Sequence, residues 1–254
     1  MKDTALYKYL DCEGGLKMLH YSNLMFTNAT KFNDPFDCHP ALFNYSNAPE
    51  NKYNWPPADF LKLKGKTDME NLRNKAWICS LSKVYDSLLM WAYYNKHTGI
   101  CVGLDMEKAK GYLSKAQCGL VSGAWEMEVQ YENIIEKPDY FQNAREHFSY
   151  LLSTKAKVWE HEQEVRLVLI DPSPEIMGLP YKPNKTDGPI DWKEVRAYPH
   201  IGGECFDSVY LGIKIDKDAK EKVIELAKKL NTNIKIYQMS PDPNAFRIID
   251  NRMY

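Results

Sequence analysis

The stretch Trp159-Glu160-His161-Glu162-Gln163-Glu164-Val165-Arg166-Leu167-Val168-Leu169-Ile170 constrains this chain more than any other. Val165 to Ile170 is an apolar run of β-type residues and reads as a strand. Three glutamates lead into it at alternate positions, and alternate residues of an extended chain share a face. Carboxylates crowded in this way are unfavourable unless water, a cation or a ligand absorbs their charge. The run is therefore a candidate site set at the mouth of a strand. A simpler reading stands beside it: Glu164 and Arg166 lie two apart on one face and can form an ion pair.

Around this run the order of elements is mixed. Leu6 to Leu10, Trp77 to Ser82, Ile100 to Leu104, Met127 to Tyr131, Ser208 to Leu211, Ile234 to Tyr237 and Phe246 to Ile249 read as strands. Leu24 to Phe26 is a further short extended stretch. Asp11 to Gly15 reads as a turn with a short helix to His20, and 58–75 as a strongly charged helix. Asp86 is placed to cap a helix through Leu88, Leu89, Trp91 and Tyr94, which Gly99 ends. Over 139–158, Phe141, Ala144, Phe148, Leu151, Leu152 and Ala156 recur at helical spacing, giving the clearest helix, with Lys155 and Lys157 complementing its C-terminal dipole. Asp216 or Asp218 caps a last helix to Leu230. Residues 44–57 and 171–205 read as surface excursions. Strands in pairs with helices between them favour an α+β fold with mixed, mainly antiparallel sheets, and nothing separates two cores, so 1–254 reads as one domain.

Composition narrows the function classes. Lys plus Arg is 33 and Asp plus Glu is 34. That balance supplies no global field for nucleic acid or an anionic membrane. The start carries no apolar signal core and no apolar run reaches membrane length. None of the six cysteines forms a CxxC or a zinc-ribbon spacing, which points to a cytoplasmic protein with free thiols. His161-Glu162-Gln163-Glu164-Val165 approaches HExxH, but Val165 stands where the second histidine is required, so a zinc hydrolase is disfavoured. With 17 tyrosines and 6 tryptophans, the chain can line a cleft for a flat or ribose-bearing ligand. Most of those rings are expected to be core and surface. Asn33-Asp34-Pro35-Phe36 reads as a rigid turn anchored by Phe32 and Phe36 packing inward. Trp91 and Tyr94, three apart on a helix, read as core partners.

Several stretches together resemble the bacterial family called domain of unknown function 2971. They are Phe32-Asn33-Asp34-Pro35-Phe36-Asp37, Cys79-Ser80-Leu81-Ser82 with Met90-Trp91-Ala92-Tyr93-Tyr94, His97 to Asp105, Lys157-Val158-Trp159 with Glu162, Glu164 and Arg166, and Val209 to Gly212. Tyr93 stands where that family often has histidine. A more distant resemblance is to ADP-ribosyltransferases of the arginine–serine–glutamate type. Lys8 in Leu6-Tyr7-Lys8-Tyr9 looks like their basic first strand, where Arg or His is usual. Ser80 and Ser82 look like the serine strand, and Glu162-Gln163-Glu164 like the glutamate element.

This second resemblance implies a bacterial NAD-dependent transferase or NAD glycohydrolase, of the toxin or defence-effector kind, with NAD as substrate. Cleavage of the nicotinamide–ribose bond passes through an oxocarbenium-like state. Glu164 would stabilise its charge and hold a ribose hydroxyl, and Glu162 would orient or deprotonate the acceptor. Lys8 would meet the phosphates, Ser80 or Ser82 would fix the ribose or amide, and Tyr9 or Trp91 would stack on nicotinamide. The alternative is a non-catalytic nucleotide- or protein-binding module. A nuclease would require Glu160, Glu162 and Glu164 to hold magnesium.

Overall fold

The computed structural model describes residues 5–50, 56–114, 117–118, 121–122, 124–170 and 196–253. Its strands are β1 (Ala5–Leu10), β2 (Thr27–Asn28), β3 (Ala76–Ser82), β4 (Ile100–Asp105), β5 (Gln117–Cys118), β6 (Val121–Ser122), β7 (Trp125–Glu128), β8 (Gln130–Glu132), β9 (Thr154–Ala156), β10 (Glu164–Ile170), β11 (Phe206–Leu211), β12 (Lys235–Pro241) and β13 (Ile248–Arg252). Its helices are α1 (Cys12–Tyr21), α2 (Ala58–Lys75), α3 (Leu88–Asn95), α4 (Met106–Leu113), α5 (Ala144–Ser153) and α6 (Lys217–Leu230). The fold is α+β. Nine strands form the main sheet in the order β13-β12-β11-β4-β1-β3-β10-β7, with β2 also on β3. Every pairing in it is antiparallel except β11 with β12.

Alternation along the strands assigns the two faces. Leu6, Leu10, Cys79, Leu81, Leu167, Leu169, Val102 and Val209 turn to one side, where α1, α4 and α6 cover them with Met18, Leu19, Ala109, Val223 and Ala227. The opposite face carries two separate apolar clusters. Near β7, α2 and α5 supply Met69, Leu151 and Leu152 to Ala76, Ile78 and Val168. Near β4, α3 supplies Met90 and Trp91 to Tyr7, Tyr9, Cys101 and Tyr210. The register of β10 on β3 pairs Glu164 with Ser82 and Arg166 with Ser80. Those four residues share parity with Ile78 and Val168, so they form a polar seam between the two clusters.

Several element ends differ from the sequence reading. Asp11 does not open a turn: its carboxylate accepts from the Gly14 amide at 2.7 Å and caps α1, which begins at Cys12. Ser87, not Asp86, caps α3. The helix expected over 139–158 is confined to α5. At its start the Asp139 carboxylate takes the Phe141 amide at 2.9 Å in a local turn, which competes with helix. At its end Thr154, β-branched, opens β9 instead, paired in parallel with β8. Residues 157–162 then form a 3-10 helix. Phe246 lies fully exposed in the turn before β13, which starts only at Ile248. Phe36 is 57% exposed and does not anchor its turn, whereas Phe32 lies beneath the Arg166 guanidinium at 5.3 Å. Of the expected excursions, 51–55 and 171–195 lie outside the described residues. Residues 196–202 run antiparallel to the chain after α1, with bridges Phe26–Ala197 and Asn23–His200.

The cap expected at Asp216 is present, and its carboxylate accepts from the Asp218 and Ala219 amides at 2.9 and 3.1 Å. Replacing it with alanine orphans those donors and is expected to cost about 1 kcal/mol in urea unfolding. A loss below about 0.3 kcal/mol would mean that packing alone holds this end of α6.

Candidate functional site

The glutamates of the opening motif meet by a turn, not by alternation in one strand. Glu160 belongs to the 3-10 segment and is exposed, away from the other two. Gln163 adopts a left-handed conformation, φ 42°, which a non-glycine residue takes only at a local turn. Its carbonyl accepts from the Lys83 amide at 3.0 Å, and its amide donates to the Glu160 carbonyl at 3.1 Å. This reversal brings the carboxylates of Glu162 and Glu164 to one side chain, Lys155.

Five charged groups form the site, three acids and two bases. Arg166 is 0% exposed. Its guanidinium grips Asp37 through two bonds, Nη1 to Oδ1 at 2.8 Å and Nη2 to Oδ2 at 2.6 Å. It grips Glu164 through two more, Nε to Oε1 at 2.9 Å and Nη2 to Oε2 at 3.1 Å. Nη1 also reaches the Leu152 carbonyl at 2.8 Å. Lys155 donates to Glu164 Oε2 at 3.0 Å and makes a short contact with Glu162 Oε2. Its ammonium lies 5.2 Å from the Trp159 ring centre. Tyr94 donates a short hydrogen bond to Glu162 Oε1, and Tyr131 accepts the Glu164 amide at 2.8 Å. The array is thus innermost at Asp37 and Arg166. It approaches the surface at Tyr94, which is 45% exposed, while Glu162 itself is buried.

Burial by itself would raise the Glu164 carboxyl, but Arg166 and then Lys155 hold it well below the usual carboxylate range. Burial opposes charge on Arg166 and Lys155 too, and the surrounding carboxylates overcome it, so both are held charged above their ordinary values. Burial pushes the Tyr131 hydroxyl up to about 12. It raises Tyr94 as well, and Glu162 adds to that rise. The charge of the crowded acids is therefore absorbed by cations of the same chain. Among the described residues no group of three or more His, Cys, Asp or Glu is arranged to hold a metal ion.

The residues singled out from the sequence fall into two sets. Ser80, Ser82, Glu162 and Glu164 are brought together, as the strand order required. Within that set the Ser82 hydroxyl is a turn-builder: it donates to the Glu162 carbonyl at 2.7 Å and accepts the Val84 amide at 3.2 Å. Lys8 has the opposite parity on β1, on the side of Leu6 and Leu10. Its ammonium turns back to the Ser80 carbonyl at 2.7 Å, where β1 and β3 share only the pair Tyr7–Ser82. Tyr9 is buried and its hydroxyl donates to the Val84 carbonyl at 3.0 Å. Trp91 is 0% exposed and its indole donates to the Tyr85 carbonyl at 2.7 Å. Neither ring presents a face to a ligand, because both complete the α3 cluster, edge to face at 5.5 Å. Trp91 is the core residue expected, but Tyr94 turns outward to Glu162.

Sequence reasoning gave no place in the site to Asp37, Lys155 or Tyr131. Asp37 ends the Phe32 to Asp37 stretch and was the one carboxylate there with a distant counter-charge. Lys155, read as a dipole partner of a longer helix, is the hub that two glutamates share. Nothing local in the sequence marks it, since its partners lie 7 and 9 positions on, across a turn.

One groove lies elsewhere. It measures about 790 Å³ and runs between α5 and the β7–β8 segment, over Phe43, His147 and Tyr150. A smaller cleft of about 200 Å³, lined by Phe36, Leu42 and Ile135, touches the array only at Lys155. Neither reaches Glu162 or Glu164. Together, fold and site define an α+β protein on a nine-stranded, largely antiparallel sheet, with a buried five-charge array at the entry to β10. None of the protein-family models, curated proteins or solved structures compared with the chain gives a match. No helix among the described residues is long and apolar enough to cross a membrane.

Proposed function

We propose that this chain is a non-catalytic protein-binding module, with the buried ion array as scaffold and the β7–α5 groove as its recognition surface. The observation that carries this reading is the saturation of Glu164. Both of its oxygens are held by Arg166 and Lys155 within the fold, so stabilising a sugar cation would require breaking a buried, charge-assisted pair. The groove favours protein over nucleotide: among the described residues six carboxylates line it and no lysine or arginine does, an arrangement that repels phosphate.

The second reading is an NAD-consuming transferase or glycohydrolase, the class resembled through Leu6 to Tyr9, Cys79 to Ser82 and Glu162 to Glu164. One observation favours it: Ser80, Ser82 and Glu164 sit side by side on adjacent strands, with the buried Glu162 joined to the half-exposed Tyr94. Purified protein incubated with NAD separates the two readings. We expect no nicotinamide release and no NAD-induced shift in Tm. Release that Glu162→Gln or Glu164→Gln abolishes, in a variant that still folds, would replace the binding reading with the enzymatic one.

A further inference from the structure

We infer that the groove takes a basic segment of another protein, in extended form, against the open edge of β7; this rests on the protein-binding reading above. The backbone sets the docking geometry. The Val129 amide donates to the Glu164 carbonyl at 3.0 Å, and β7 pairs Met127 with Arg166 and Trp125 with Val168. In an antiparallel ladder the hydrogen-bonding direction alternates. Trp125, Met127 and Val129 therefore face β10, while the amides and carbonyls of Glu126 and Glu128 face outward. Among the described residues no strand pairs with that outer edge. Side chains from both faces of β7, Met127 on one and Glu126 and Glu128 on the other, line the groove, so the groove follows the edge itself. The Glu128 carbonyl at this edge is met by the Gln130 side-chain amide at a long 3.5 Å. An edge that no described strand covers, beside a groove, is the geometry that accepts an added strand, with pockets selecting side chains.

Charge chooses the occupant. Glu126, Glu128, Glu132, Glu136, Asp139 and Glu146 line the groove. Two of them have exposed lysine partners, Glu126 with Lys110 at 2.5 Å and Glu128 with Lys83 at 2.8 Å. Exposed pairs of this kind are weak and exchangeable. The aromatic floor of Phe43 and Tyr150 suits the stem and charge of lysine or arginine. An acidic segment would meet like charge along the whole groove.

The test uses the full chain and three labelled ten-residue peptides: alternating lysine and threonine, alternating glutamate and threonine, and alternating serine and threonine. We expect saturable binding of the lysine peptide only, weakened by added salt. Hydrogen exchange at the Glu126 and Glu128 amides should slow on binding, which a diffuse attraction to acidic surface would not produce. Glu132→Lys with Glu136→Lys, both exposed positions, should weaken binding at least tenfold. Absence of lysine-peptide binding, or binding without protection of those amides, overturns the inference. Preferential binding of the glutamate or serine peptide overturns the basic partner while leaving a protein-binding module. NAD consumption with none of the peptides bound removes both.

Discussion

Replacing Arg166 with methionine is expected to lower the free energy of unfolding by about 3–5 kcal/mol. The guanidinium is fully enclosed and spends four of its bonds on Asp37 and Glu164. Its removal leaves two carboxylates in the seam between the apolar clusters with Lys155, 4.0 Å from Asp37, as the remaining nearby cation among the described residues. The cost is that of uncompensated buried charge, not of lost attraction alone. A triple variant carrying Asp37→Leu, Glu164→Met and Arg166→Met should therefore recover much of the loss, because a well-packed apolar seam need not solvate anything. Urea unfolding of the wild type and both variants measures this. A single-variant loss under about 1 kcal/mol would mean that water reaches the seam and the array is not a scaffold.

Glu164→Gln is expected to remove stability by a similar mechanism, and its pH dependence has a definite sign. The carboxyl titrates in the folded chain well below its ordinary value of 4.5. The unfolded state thus binds the proton more readily than the folded one. Stability from this group is fully present above the ordinary value and is lost progressively as pH falls below it toward the folded value. Wild-type Tm should drop over that acid range, and the glutamine variant, destabilised already at neutral pH, should show a flatter profile there. Matching acid profiles for the two proteins would show that Glu164 gains nothing from its cations on folding. The same variant decides between scaffold and chemistry, since the scaffold reading predicts reduced stability with peptide binding retained.

Much of the fold was legible because the residues that make it are periodic. Val165 to Ile170, Ile100 to Leu104, the charged helix over 58–75 and the capped helix from Asp216 all follow from local pattern. The helix over 139–158 misled because Thr154 to Ala156 continues an apolar spacing while its backbone pairs with β8. Asp86 misled as a cap by one position, a choice that only the path of the chain into α3 makes.

The site was half legible. Alternating glutamates beside Arg166 announced an electrostatic problem that the fold had to solve, and the sequence by itself determined that these charges would stand at the entry to a buried strand. Which groups would solve it was decided by tertiary structure. The left-handed turn at Gln163 sent Glu160 outward and Glu162 inward, strand order laid Ser80 beside Arg166, and α5 ended early enough to deliver Lys155. Asp37 arrived from 129 positions away. Counter-charge at that separation has no local signature, because Coulomb attraction acts on distance in space and the chain's pattern encodes only distance along itself.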